Sequence, residues 1–306
     1  MTDQQTPELR ERRASEILDA AIKIWSRNFR RLVPFAAAIL VPFQLISAYL
    51  FVSVEPSFQD TLTQWQKDIQ AVSDARGGEI PRPDFTSGQI GAFTAAIVLS
   101  VISTYALSAA LTAIIGKLVL REELDSKSAL IMALKIAPKL FATTLLGFLV
   151  SGIATIVVVV VALVAKAPAL LLLVLPTSIM SIWLIIRFTM AGPALVLERL
   201  GPVQALRRSF ALTKGRWWPI LGIMFLSGLV TGIPSNIVDG LLNSVLKGLG
   251  GNNAAFEFIW AAVAGTASGA LFAPLTAAIS VFLYFDLRVR KEGFDLQRLA
   301  ADFSRV

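Results

Sequence analysis

The chain alternates long apolar runs with shorter amphipathic stretches, and that order predicts two kinds of helix. Six runs are apolar enough to be spans, at about 32–54, 90–120, 136–165, 168–197, 217–233 and 255–287. Each approaches or exceeds the roughly 20 residues a helix needs to cross a hydrocarbon core of about 30 Å. Amphipathic stretches precede three of them. From Ala14 to Leu32, Ile17, Leu18, Ala21, Ile22, Trp25 and Phe29 form one stripe, with Arg12, Glu16, Asp19, Lys23, Arg27 and Arg30 on the other face. Thr6, Pro7 and Glu8 supply an N-cap, a first helical residue and a dipole-matched charge for its start. Ser128 to Phe141 and Gly201 to Trp218 are looser versions. A helix of this kind either lies on a membrane surface or packs its stripe on other helices of the protein, because both settings reward the same pattern.

Breaks and loops complete the plan. Leu32 to Val54 reads as a retained first span, since it is long and lacks the short apolar core and small-residue cleavage site of a signal peptide. The polar segment 55–89 forms an outer loop, with Phe58, Leu62, Trp65, Ile69 and Val72 spaced as a separate surface helix and Gly77, Gly78, Pro81 and Pro83 ending it. Only Lys166 and Ala167 separate the third and fourth runs, which predicts a tight hairpin. The fifth run closes at Gly232 and Pro234, and Ile237, Val238, Leu241, Leu242, Val245, Leu246 and Leu249 then predict a short helix at the outer surface. The fold class is all-α: a polytopic membrane protein with six transmembrane helices and amphipathic interfacial helices. It forms a single membrane domain over 1–306, with the outer loop at 55–89 and a cytoplasmic tail at 288–306.

The amphipathic stretches also resemble one another. Ile17 to Phe29 lies without gaps over Ala129 to Phe141, pairing Leu18 with Leu130, Ala21 with Ala133, Lys23 with Lys135, Ile24 with Ile136 and Phe29 with Phe141. The third copy aligns Ala205, Leu206 and Arg207 with Ala21, Ile22 and Lys23 once about one extra helical turn is allowed before Arg216 and Trp217. This supports a three-fold pseudo-repeat of surface helix plus hairpin. Convergence on one interfacial chemistry is the alternative.

Composition narrows the chemistry. At 306 residues, 55% hydrophobic and 16% charged, with a mean hydropathy of +0.69, the chain is too apolar for an ordinary soluble domain. It has neither cysteine nor histidine, which removes disulfides, thiolate and imidazole metal sites and His-based acid/base catalysis. The net charge of +7 sits beside apolar runs, so membrane orientation explains it and no nucleic-acid partner is expected. Lys and Arg fall on the segments that six spans place on the same side as the termini, except Lys67, Arg76, Arg82, Lys166, Lys247 and the in-span Arg187. That asymmetry puts both termini in the cytoplasm.

Three sets of residues are candidates for recognition. Arg207, Arg208, Lys214 and Arg216, with Trp217 and Trp218, could hold an anionic lipid headgroup, or act only as an orientation signal and an aromatic belt. Arg187 is the charge expected inside a span; about 28 Å from Pro168 along the helix, it can snorkel to the interface, and with Glu198 it forms a candidate charge pair that Arg207 could also make. Ser100, Thr104, Ser108, Thr112 and Gly116, and likewise Ala261, Gly265, Gly269, Ala273 and Ala277, recur every four residues. Both series are expected to be helix-packing seams, with a polar pore lining as the alternative for the hydroxyl series. No catalytic, cofactor-binding or metal-binding set is predicted.

The run Ala194-Leu195-Val196-Leu197-Glu198, followed by Ala205 to Trp218 (ALRRSFALTKGRWW), resembles the membrane domain that accompanies some bacterial glycerophosphoryl diester phosphodiesterases and also occurs alone. Tyr284 to Asp295 (YFDLRVRKEGFD) is similar to the closing segment of stand-alone relatives. The resemblance implies a multi-pass protein of the bacterial plasma membrane. The phosphodiesterase chemistry uses histidines, so the enzymatic activity does not carry over. The expectation is a non-enzymatic scaffold or lipid-interacting protein without cofactor, with membrane lipids and other membrane proteins as partners; the alternative is a transporter or channel for a small polar or lipid-derived solute. Because the chain lacks cysteine, single-cysteine labelling checks the topology: Gln70→Cys and Lys247→Cys should react with an impermeant thiol reagent from outside, and Arg12→Cys, Lys127→Cys, Phe210→Cys and Asp295→Cys should not. The reverse pattern sinks this orientation.

Overall fold

The computed structural model describes residues 12–74, 82–120, 122, 126–250 and 254–293. Among them every regular element is helical: α1 (Ala14–Arg27), α2 (Phe29–Asp74), α3 (Ser87–Leu120), α4 (Ser126–Val164), α5 (Val174–Phe188), α6 (Ala191–Glu198), α7 (Pro202–Leu212), α8 (Trp217–Ser227), α9 (Ile233–Gly250) and α10 (Ala254–Glu292). A 3-10 turn at Pro168–Leu173 leads into α5, and a π turn at Gly228–Gly232 joins α8 to α9. Six stretches are long and apolar enough to cross a membrane: Phe29–Val54, Ser87–Leu120, Ser128–Val164, Ala169–Glu198, Trp217–Val245 and Ala262–Glu292. In the fourth, the most apolar window is only 6% buried at a mean hydropathy of 2.4. A surface that apolar over that length belongs in lipid. The chain is an all-α polytopic membrane protein.

The helix boundaries correct the expected ones in five places. The outer surface helix of segment 55–89 is not separate, because α2 runs unbroken from Phe29 to Asp74, through Pro34 and Pro42. Each proline removes one backbone donor, which neighbouring groups can offset, so proline weakens a helix without always ending it. The stretch 128–141 is likewise continuous with its span in α4, with Pro138 inside. The fourth span is broken at Thr189 and Met190, between α5 and α6. The fifth does not stop at Gly232 and Pro234: the π turn absorbs the glycines, Pro234 falls in the first turn of α9 where its missing N–H costs nothing, and the apolar stretch runs to Val245. α10 carries the last span to Glu292, so the start of the expected tail is helical. The proposed start at Thr6 and Pro7 and the loop residues Gly77, Gly78 and Pro81 lie outside the described residues.

The chain forms two compact units, one of residues 1–36, 105–233 and 271–306, the other of 37–104 and 234–270. In the second, Ile39, Leu40, Ala48, Ala264 and Ala270 are buried. A Cβ at Gly269 would sit 3.2 Å from Cδ1 of Leu40, so this glycine allows a close approach of that side chain. Gln89 is 1% exposed; its Oε1 accepts the Thr86 backbone N–H at 2.8 Å and its Nε2 donates to Thr61 Oγ1 at 3.4 Å.

In the first unit, α4 and α5 form the expected hairpin, turning at Lys166 and Ala167. Ser181 Oγ on α5 donates to the Ser151 carbonyl of α4 at 2.6 Å and lies 3.2 Å from Thr155 Oγ1. Interhelical hydroxyl bonds of this kind contribute about 0.6–2 kcal/mol in apolar surroundings. α1 does not lie free on a surface: it rests against α8, buries Ile17, Leu18 and Ala21, and is tied by Trp25 Nε1 donating to the Leu271 carbonyl of α10 at 2.9 Å. The aligned Ala21, Ala133 and Ala205 are each 0% exposed. The extra length of the third copy sits in the Thr213–Arg216 turn, where Gly215 takes φ +79°.

α3 reaches this unit through its last turns. A Cβ at Gly116 would collide with Cδ2 of Leu197 on α6, whereas one at Gly222 of α8 meets nothing within 4 Å. Gly116→Val should therefore destabilise the protein by about 1–3 kcal/mol. Gly222→Ala should be neutral or stabilise by up to about 1 kcal/mol through helix propensity. Thermal unfolding in detergent reads both, and equal melting temperatures would refute the close contact.

Candidate functional site

Charged side chains of the first unit form two groups, one joining α6, α7 and α10 and one joining α10 to the residues just before α1. α7 follows α6 through Arg199, held at φ 55° as a left-handed cap, and starts with Pro202 in its first turn. This reversal lays α7 along the break in the fourth span. The break leaves the Met190 N–H and the Arg187 carbonyl without helical partners, and α7 supplies them: Ser209 Oγ accepts from Met190 N at 3.1 Å and donates to Arg187 O at 2.7 Å, and Thr213 Oγ1 donates to Arg187 O at 3.2 Å. Ser209 and Thr213 are both 0% exposed. Interrupted helices persist in apolar settings only when such groups are satisfied.

Next to Ser209, Arg208 clamps two carboxylates. Its Nε donates to both oxygens of Glu198, at 3.0 and 2.9 Å, and its Nη2 reaches Glu198 Oε1 at 2.8 Å and Glu292 Oε2 at 2.9 Å. Arg208 Nη1 also donates to Glu292 Oε1. Tyr284 OH donates to Glu198, and Arg288 Nε completes the group, 3.2 Å from Glu292 and 3.7 Å from Glu198. The hydrogen bonds to Glu292, before those to Glu198, push the Arg208 guanidinium further above the ordinary arginine range. A raised pKa makes the folded state favour the charged form, so this stabilisation is present at every pH below that of free arginine.

The expected partners of Glu198 are thus corrected. Neither Arg187 nor Arg207 pairs with it; Arg208 does, because one helical position decides which arginine faces α6 and α10. Arg187 is 5% exposed and stacks instead on Trp183 and Phe210, with its Cζ 5.2 and 4.0 Å from the ring centroids. Its Nε has no hydrogen-bond partner among the described residues. Arg208 is not free for a headgroup either, which removes it from the lipid-contact set.

The remaining members of that set spread around the turn. Arg207 and Lys214 are exposed, Arg216 and Trp217 are half-buried, and Trp218 is 74% exposed, meeting Trp217 edge to face at 4.5 Å. Arg216 lines a cavity of about 290 Å³ with Arg12, Arg13 and Arg290, floored by Pro219, Ile220, Ile223, Leu283 and Leu287. Its one carboxylate, Asp286, is engaged: it accepts from Arg290 Nε at 2.7 Å and from the Arg12 backbone N–H at 2.6 Å, while Arg290 Nη2 donates to the Arg12 carbonyl at 2.6 Å.

The two seams divide. Thr112 and Gly116 are buried, but Ser100, Thr104 and Ser108 are exposed, and Thr104 Oγ1 donates to the Ser100 carbonyl of its own helix at 2.8 Å. Ser103, Ala106, Ala109, Ala110 and Ala113 take the buried face instead. Among the last series, Gly265 is exposed, Gly269, Ala273 and Ala277 are half-buried, and the Ala261 side chain lies outside the described residues. Ala264, Ser268, Leu275 and Ile279 form the buried stripe. Small residues occur on every side of both helices, so an interval of four does not select the packed face.

The chain matches no family model, no curated protein and no solved structure. Its site is therefore read from geometry alone. Sequence reasoning named Glu198 but missed Tyr284, Arg288 and Glu292, although these three, and separately Asp286 and Arg290, repeat every four residues on α10. It also missed Asp239, which the extended fifth span brings into apolar sequence with a buried Oδ1 that has no partner among the described residues. Among those residues no three Asp or Glu gather in a way that could hold a metal ion.

Buried Arg187 and half-buried Arg208 should respond oppositely to one substitution. Arg208→Met strands Glu198 and Glu292 facing each other and should cost about 2–3 kcal/mol. Arg187→Met keeps the stacking volume, removes an unpaired guanidinium and should be neutral or stabilising. Melting temperatures of the two variants in one detergent check this, and a larger loss for Arg187→Met would overturn the assignment.

Proposed function

We propose that this chain is a non-enzymatic, multi-pass protein of a bacterial plasma membrane that works as a scaffold or lipid-interacting partner through a basic cytoplasmic face. The sequence resemblance to the membrane domain of glycerophosphoryl diester phosphodiesterases supports the setting. One observation carries the lipid reading: exposed Arg207 and Lys214, with Arg216, flank the start of α8, where Trp218 is 74% exposed at the first turn of an apolar span. Basic side chains at that depth attract lipid phosphates, and indole rings favour the headgroup level.

The arrangement also supports a scaffold. Arg208, Glu198 and Glu292 satisfy one another, which leaves the cations around them available to a partner while the framework stays fixed. The role of the face is then recognition of anionic surface, with no bond made or broken.

Arg207→Gln combined with Lys214→Gln tests the face without disturbing the clamp. The double variant, purified with its surrounding lipid, should show a preference for phosphatidylglycerol over phosphatidylcholine that falls about fivefold per charge removed, following roughly 1 kcal/mol per basic residue near an anionic surface. An unchanged lipid profile with normal insertion would end the lipid reading.

A further inference from the structure

We propose that the cavity between the start of α1, the start of α8 and the end of α10 binds one anionic phospholipid by its phosphodiester. This deepens the lipid-interacting reading above and rests on it. Four arginines, Arg12, Arg13, Arg216 and Arg290, line a space that contains one carboxylate, and the Arg12 guanidinium stacks on Phe282 with its Cζ 4.9 Å from the ring centroid. Asp286 neutralises part of that charge, and its two oxygens are already held by Arg290 Nε and the Arg12 backbone. The guanidinium groups of Arg13 and Arg216 enter no ion pair among the described residues, and each belongs to the residue that precedes the first turn of its helix. Arg13 and Arg216 therefore give the lining formal positive charge that Asp286 does not match, and the planar donor forks of arginine match phosphate oxygens in pairs.

Shape and lining select the source of that phosphate. The volume of about 290 Å³ is at the small end of the roughly 300–1,000 Å³ typical of ligand pockets, enough for a headgroup and too little for a large cofactor. Pro219, Ile220, Ile223, Leu283 and Leu287 make the floor apolar. A free phosphate has no use for an apolar floor, whereas a glycerol backbone and the first methylenes of an acyl chain bury against one. The cavity also adjoins the first turn of a membrane span, at Arg216 to Ile220, the depth at which lipid phosphates lie. Basic pockets between membrane helices hold anionic headgroups for the same reasons.

The test uses the delipidated full-length protein, titrated with phosphatidylglycerol or phosphatidylcholine and followed by native mass spectrometry. Wild type should retain one phosphatidylglycerol per chain in preference to phosphatidylcholine. Arg13→Gln combined with Arg216→Gln should weaken that binding about tenfold or more, while Arg13→Lys with Arg216→Lys should recover part of it. Arg207→Gln with Lys214→Gln should leave the single tight lipid in place, even where it lowers the general enrichment, so the cavity and the face fail separately. If the double Gln variant does not insert, Arg216→Gln alone carries the test with a loss of about threefold or more. Unchanged affinity in a folded Arg216 variant, or equal loss in Arg207→Gln with Lys214→Gln, overturns the proposal. Displacement of the lipid by millimolar inorganic phosphate assigns the site to free phosphate and overturns the lipid source.

Discussion

A helix interrupted in apolar surroundings must have its freed backbone groups satisfied by something else, and this requirement organises the first unit. The fourth span breaks at Thr189 and Met190, and the groups it frees are met by Ser209 of α7 and by Thr213, its C-cap. Two hydroxyls four residues apart on one helix face fix both the position and the rotation of α7. Once α7 is held in that rotation, Arg208 points between Glu198 and Glu292, and Arg207 points away. The end of α10 is thereby anchored, and through Asp286, Arg290 and the Arg12 backbone so is the start of α1. The arginine-lined cavity lies at the end of that sequence of constraints, and the ties of Asp286 and Arg290 to the Arg12 backbone are themselves part of its lining.

Half-buried Arg208 and buried Arg187 separate structural charge from spare charge. Desolvating a guanidinium costs several kcal/mol unless carboxylates and geometry offset it. Arg208 meets that condition with two carboxylates, one of them also held by Tyr284 OH. Arg187, one turn from a helix break, meets it only in part, through two aromatic faces. Cation–π contacts are worth about 0.5–2 kcal/mol each, less than a bidentate carboxylate in the same setting. The fold therefore depends on Arg208 and tolerates Arg187.

Much of this was legible in the sequence, for reasons that also explain where reading stopped. The number of spans follows from apolar run length alone, a constraint the bilayer imposes whatever the tertiary contacts. Boundaries were less legible, because Gly232 and Pro234 are compatible with an ending and with a π turn followed by a proline in a first turn, and local sequence does not choose. The clamp joins residues separated by 10 and 84 positions, so no local period announces it; the only trace is the four-residue spacing on α10. The small-residue series misled for a different cause: in α3 alanine and serine occupy several faces, and Ala106, Ala110 and Ala113 pack where Ser100, Thr104 and Ser108 do not.

The three related amphipathic stretches share a buried position and differ in the joint that follows each. Ala21, Ala133 and Ala205 are equally buried, so the shared positions are the ones that let each stretch lie close to its neighbours. What differs is the joint that follows: a single Asn28 after α1, none within α4, and the four-residue turn Thr213–Arg216 after α7. A continuous helix keeps its last-turn and first-turn groups bonded to one another, whereas a joint frees the start of the next helix and turns its flanking side chains outward. The third joint is the longest, and it leaves Lys214 and Trp218 exposed and sets Arg216 in the lining of the cavity that Arg13, just before α1, also lines. Under the lipid-binding reading proposed above, recognition gathers at this joint because Arg207, Lys214 and Arg216 there stay outside the ion pairs of Arg208.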